Sequence, residues 1–169
     1  MKKLTVLGIF LAVFAISCEG PQGPAGFDGD ALVGDTYEID NVDFNEIDNT
    51  IAVQFNQDIV NGDAVLVYRL DGVDNNLDIW EPLPTTIFLE GTSYLQYRFN
   101  YTLADVEIIV ESDNLNAISD DFMLNQVFRI VVLPSDLIGT VDTSNFSAVM
   151  TELGLQSNDI QTIDFNTLK

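Results

Sequence analysis

Between residues 51 and 111 the apolar positions recur every second residue. Ile51, Val53 and Phe55 alternate with Ala52 and Gln54. Leu95, Tyr97, Phe99 and Tyr101 alternate with Gln96, Arg98 and Asn100, and Val106, Ile108 and Val110 with Glu107 and Glu111. Successive side chains of an extended chain point to opposite faces, so each run reads as a strand with one buried and one wet face. Two further runs, residues 64–70 and 127–133, are apolar on nearly both faces and rich in valine, as suits central strands covered on both sides. Each carries a single arginine, Arg69 and Arg129.

Turn chemistry separates these runs. Asn61-Gly62-Asp63 precedes one strand, Asp71-Gly72 and Asp74-Asn75-Asn76 follow it, and Glu90-Gly91-Thr92 precedes another. Between Tyr37 and Phe44 the apolar phase slips, which a bulge near Asn41 reconciles. Residues 79–81 and 86–90 read as short strands divided by Pro82 and Pro84, which favour an edge or a break. One segment keeps helical spacing: Phe146, Val149, Met150 and Leu153, with N-terminal acceptors at Asp142, Thr143 and Ser144 and Gly154 to end it. A last strand is expected at residues 160–165. The pattern predicts a mainly β fold, an antiparallel β-sandwich of jelly-roll or Ig-like type, with one short C-terminal helix packed across one open end or face of the sheets. Residues 36–169 are expected to form this single domain.

Upstream, Lys2 and Lys3 precede an uncharged stretch, residues 4–16, in the order of a secretory signal. It is shorter than the ~20 apolar residues a spanning helix needs. It ends at Cys18, the one cysteine of the chain, behind the small residues Ala15 and Ser17. This resembles the lipobox of bacterial lipoproteins, with Ala15 where leucine is commoner. The resemblance implies cleavage of residues 1–17, lipidation of Cys18 and a membrane partner reached through that lipid. No disulfide can then form, so the domain must be held by its core.

Glycines at 20, 23, 26 and 29 define three Gly-X-Y triplets. So few are too short for a stable collagen trimer and read better as a proline-stiffened spacer within residues 18–35, reaching at most ~50 Å. The leader, the lipobox and Glu19-Gly-Pro-Gln-Gly-Pro-Ala-Gly-Phe-Asp-Gly29 together resemble a family of small lipoproteins of Bacteroidota bacteria with a short collagen-like segment after the cysteine. The stretch Asn125-Gln-Val-Phe-Arg-Ile-Val-Val-Leu-Pro134 is similar to that family as well. The resemblance implies export and an outer-membrane location, on the periplasmic or the surface side, and carries no established activity.

The chain has 6 basic and 27 acidic residues, a formal charge of −21, and losing Lys2 and Lys3 takes it to −23. Nucleic acid is excluded as an expected partner, because phosphate binding draws on Lys and Arg clusters. There is no histidine, which removes His-dependent nucleophile systems, His-containing zinc sites and the commonest general base. The reading is therefore a non-catalytic structural or interaction module of the envelope, with an unknown envelope protein or glycan as partner and no cofactor.

Two weaker constellations remain. Sugar-binding sandwiches use exposed aromatic platforms, and Trp80 and Tyr94 are the candidates, Trp80 in an exposed-looking turn and Tyr94 in phase with Gln96 and Arg98. Tyr97 and Tyr101 share the apolar face of their strand and read as core. The segment Asp71-Gly-Val-Asp-Asn-Asn-Leu-Asp78 is the calcium candidate, through Asp71, Asp74, Asn76 and Asp78. The match to an EF-hand loop fails where Ile79 takes the glycine position and Thr85 the glutamate position, and a plain hairpin turn accounts for the same residues.

Overall fold

A computed structural model describes residues 35–90 and 93–167. The expectations for the leader, Cys18 and the Gly-X-Y segment lie outside those residues. Nine strands are described: β1 (Thr36–Val42), β2 (Thr50–Gln54), β3 (Ala64–Asp74), β4 (Leu77–Pro82), β5 (Thr85–Phe88), β6 (Tyr94–Tyr101), β7 (Asp105–Ser112), β8 (Gln126–Leu133) and β9 (Gln161–Asp164). Two helices accompany them, α1 (Asp120–Met123) and α2 (Phe146–Glu152). The strands form a five-stranded sheet in the order β4-β3-β8-β1-β9 and a four-stranded sheet in the order β2-β7-β6-β5. β1 pairs with β8 in one sheet and β2 with β7 in the other, nested pairs that close the sandwich over long sequence separations.

The alternating residues meet between the sheets. Tyr37, Ile39, Val65, Val67, Phe128 and Ile130 from the first sheet pack on Ile51, Val53, Leu95, Tyr97, Ile108 and Val110 from the second, all buried. The two runs apolar on both faces are β3 and β8, in the interior of the five-stranded sheet. Their second face is covered by α2, where Tyr68, Val131 and Leu133 meet Val149 and Leu153. Asn41 stands at φ +56 where the β1–β8 register shifts between Ile39 and Val42. The bulge thus uses a residue type that tolerates left-handed backbone.

Several expectations need correcting. Asp71-Gly72 does not end its strand. It is an irregularity inside the β3–β4 hairpin, and the turn is Asn75-Asn76, both with positive φ as a type I′ turn requires. The α2 N-cap is Asn145, whose Oδ1 accepts from the Ala148 N–H, rather than a residue of 142–144. Tyr101 is exposed instead of core, because it is the last residue of β6 and lies past the packed centre. β9 runs parallel to β1 within an otherwise antiparallel sandwich. The connection from β8 to β9, residues 134–160, includes α2 and skips β1, so β9 returns antiparallel to β8 and hence parallel to β1. α1 was not expected; four residues are too few to show a period.

β3 pairs with β8 only from Ala64 to Arg69, whereas its pairing with β4 continues to Asp74↔Leu77. Residues 71–79 therefore form a two-stranded ribbon beyond the third strand.

Candidate functional site

The covered face of the five-stranded sheet holds a concavity of about 890 Å³, walled by Asp78, Trp80 and Arg129 on the strands and by Asn145, Phe146 and Gln156 on the α2 side. Strand register builds its floor. Glu38 and Tyr68 are the two cross-strand partners of Arg129, so all three side chains rise from the same face. Leu70 and Trp80 are paired next along the β3–β4 ladder.

Arg129 is the centre of this arrangement. Its Nε donates to Glu38 Oε2 at 2.7 Å, and its Nη2 lies 3.9 Å from Asp78 Oδ2. Its guanidinium carbon lies 4.0 Å from the Trp80 ring centre and 4.8 Å from that of Phe146. Phe146 also packs edge-on to Tyr68 at 5.2 Å and tilted against Trp80 at 5.6 Å. The cation is thus held between aromatic faces and a carboxylate, in a part-buried setting where both attractions are strengthened by partial exclusion of water. Tyr68 completes the clamp by donating from its hydroxyl to the Thr143 carbonyl at 2.7 Å, and burial pushes its phenol up to about 12. At the rim, Ser144 donates to Asp142 through its hydroxyl at 2.6 Å and its N–H at 3.0 Å, which holds the Asp142 carboxyl below the usual carboxylate range.

The structure does not bring the expected residues together. Trp80 lies in β4, half-buried, with its ring engaged by Arg129 and Phe146, not in an exposed turn. Tyr94 opens β6 in the other sheet, on the face opposite to the buried Leu95 and Tyr97, so the two aromatics stand on opposite outer faces of the sandwich. The neighbour of Tyr94 is Phe88, its cross-strand partner in β5, which is 85 % exposed. Sequence reasoning overlooked Phe88, although the alternation of Thr86, Phe88 and Glu90 against Ile87 and Leu89 places it on the outward phase.

The calcium candidates are likewise divided. Asp71 Oδ1 accepts from Arg69 Nη1 at 3.0 Å, and Arg69 points between the sheets, where its guanidinium carbon lies 4.7 Å from the Tyr97 ring centre. Asp78 rises on the other face beside Arg129, Asp74 flanks the turn, and Asn76 is one of the two turn residues. Among the described residues no group of three or more His, Cys, Asp or Glu is placed to hold a metal ion.

Arg69 anchors a second polar cluster. It is 4 % exposed and donates from Nε to Gln126 Oε1 at 3.0 Å, while Gln126 Nε2 donates to the Asp121 and Leu124 carbonyls at 3.0 and 2.8 Å. The Tyr97 hydroxyl donates to the Phe122 carbonyl, and burial pushes that phenol up to about 12. These bonds satisfy inward-facing polar groups and tie α1 to both sheets. No protein-family model, curated protein or solved structure matches the chain.

Proposed function

We propose that this chain is a lipid-anchored lipoprotein of the bacterial outer membrane, whose β-sandwich is a non-catalytic structural or interaction module carried on a short Gly-X-Y spacer. The observation that carries the reading is Cys18, the one cysteine, standing directly behind a charged and apolar leader and two small residues. The build of the concavity supports a binding or structural role over a catalytic one. Its arginine is matched by Glu38 and enclosed by rings, so the cation is committed to packing and ion pairing. The acidic composition keeps such a module off anionic headgroups and in solution above the membrane.

The test is metabolic labelling with an alkyne fatty acid in a host with lipoprotein-processing enzymes, followed by intact-mass measurement and envelope fractionation. The wild-type chain takes the label, loses residues 1–17 and fractionates with the outer membrane. Cys18→Ser retains the leader and takes no label. A free thiol at Cys18 in the native host overturns the reading.

Carbohydrate binding is the second reading, and a specific observation moves it to a new place. Phe88 and Tyr94 stand side by side on the outer face of the four-stranded sheet, with Gln96 and Arg98 following Tyr94 on that face. Aromatic faces beside amide and guanidinium donors suit stacking on a sugar ring. A glycan-array signal abolished by Phe88→Ala and unchanged by Trp80→Phe supports it, and silence across the array removes it.

A further inference from the structure

The β3–β4 ribbon has the features of a strand-accepting arm. Among the described residues β4 is an edge strand, bonded in the sheet to β3 alone. Beyond Arg69 its partner β3 has also left β8, so among those residues the tip of the ribbon has two open edges. It exposes Val73 (62 %), Leu77 (71 %) and Ile79 (46 %), although an exposed, apolar edge strand invites association. Within residues 70–81 there are four carboxylates, Asp71, Asp74, Asp78 and Glu81, and no cation; Asp71 is paired with Arg69, and Asp78 lies 3.9 Å from Arg129.

Alternation along β4 sets Asp78 and Trp80 on one face and Leu77, Ile79 and Glu81 on the other, with Leu77, at the tip, also bordering the concavity. A strand added along this edge therefore meets the carboxylates Asp78 and Glu81 set among Leu77, Ile79 and Trp80, and backbone hydrogen bonds supply the rest of the contact. The complementary strand combines cationic and apolar residues. A second copy of this chain is the wrong occupant: it would set the same carboxylates against one another in a protein already at −21.

We infer that the ribbon takes up an extended, cationic and apolar segment of a partner protein as an added strand along β4. This deepens the interaction-module reading and rests on it for the partner's existence, while the contact itself is independent of the lipid anchor.

The test uses the full-length chain in neutral detergent, with acylated wild type and unacylated Cys18→Ser protein in parallel. The probe is the capped heptapeptide Lys-Val-Lys-Val-Lys-Val-Lys at physiological salt. Binding is followed by calorimetry, with circular dichroism reporting the fold of each variant. The expected result is saturable binding at equal affinity with and without the acyl chains. It is weakened at least tenfold when glycine replaces valine in the peptide, when alternate peptide nitrogens are methylated, and in Leu77→Ser/Ile79→Ser. Asp78→Asn weakens it about threefold. Should the double variant fail to fold, the glycine and N-methyl peptides on wild type decide the matter. Equal affinity for the glycine peptide reduces the contact to unspecific charge attraction and overturns the inference. Light scattering that shows a dimer abolished by the double variant gives the edge to a second copy and overturns it too. Loss of acylation with peptide binding intact defeats the anchor and leaves the ribbon standing.

Discussion

The guanidinium carbon of Arg129 lies 4.0 Å from the centre of the Trp80 ring, while its Nε donates to Glu38 at 2.7 Å. One residue of β8 thus fixes an aromatic of β4, a carboxylate of β1 and, through Phe146, the helix α2 on the outside of the sheet. The side chain with most promise as a free sugar platform is part of the packing that holds the helix down.

Replacing Arg129 with Met should therefore destabilise the fold by about 2 kcal/mol, because Glu38 keeps its desolvation without its partner. The double variant Glu38→Gln/Arg129→Met should lose clearly less than the sum of the two single variants. Urea unfolding of the four proteins measures both quantities. Additive losses would show that the pair contributes nothing beyond its separate side chains.

Helix α2 ends in a Schellman arrangement: Leu155 N–H donates to the Met150 carbonyl at 2.9 Å and Gly154 N–H to the Thr151 carbonyl at 3.1 Å, with Gly154 at φ +68. A Cβ at Gly154 meets nothing within 4 Å, so Gly154→Ala carries only the conformational cost of left-handed backbone, about 1 kcal/mol. Asn145→Ala, which removes the N-cap acceptor, should cost about as much. Gly72→Ala, with open space and no positive φ, should leave the thermal midpoint within a degree or two.

Alkali should unfold the protein through its buried phenols. Burial raises Tyr68 and Tyr97 from about 10 to about 12. The neutral form is thus favoured in the folded state. The stability these groups contribute is complete below pH 10 and is lost as the pH rises through 12. Absorbance at 295 nm should show their ionisation delayed to that window and coincident with loss of the folded circular dichroism spectrum. Tyr97→Phe should flatten the alkaline fall in stability at some cost at neutral pH, since the Phe122 carbonyl loses its donor.

Millimolar calcium, followed by chelator, should leave the melting temperature unchanged. Asp71 and Asp78 are directed to arginines on opposite faces of one ribbon, and Asn76 is consumed by the turn. A rise reversed by chelator would show that these side chains regroup around the ion.

Much of the architecture was legible along the chain, and for one reason: a period of two is a local signal of which face is buried. It marked the strands, picked out β3 and β8 as covered on both sides, located the β1 bulge at Asn41 and put Tyr97 in the core and Tyr94 outside. It failed at strand ends, where Tyr101 keeps the phase of the core residues after the opposing sheet has run out. It was also silent on α1, which is shorter than a helical repeat can reveal.

Strand content, the inward and outward phase of most strands, the lack of histidine and the excess of acidic residues could be read along the chain, since each depends on neighbours in sequence or on composition alone. Only the folded chain shows that β9 runs parallel to β1, that Trp80 and Tyr94 face away from each other, that Arg129 meets Glu38 and Phe146, and that the tip of β3 and β4 stands beyond β8. Those relations join residues far apart in sequence, and strand order and register, which no local period encodes, bring them into contact.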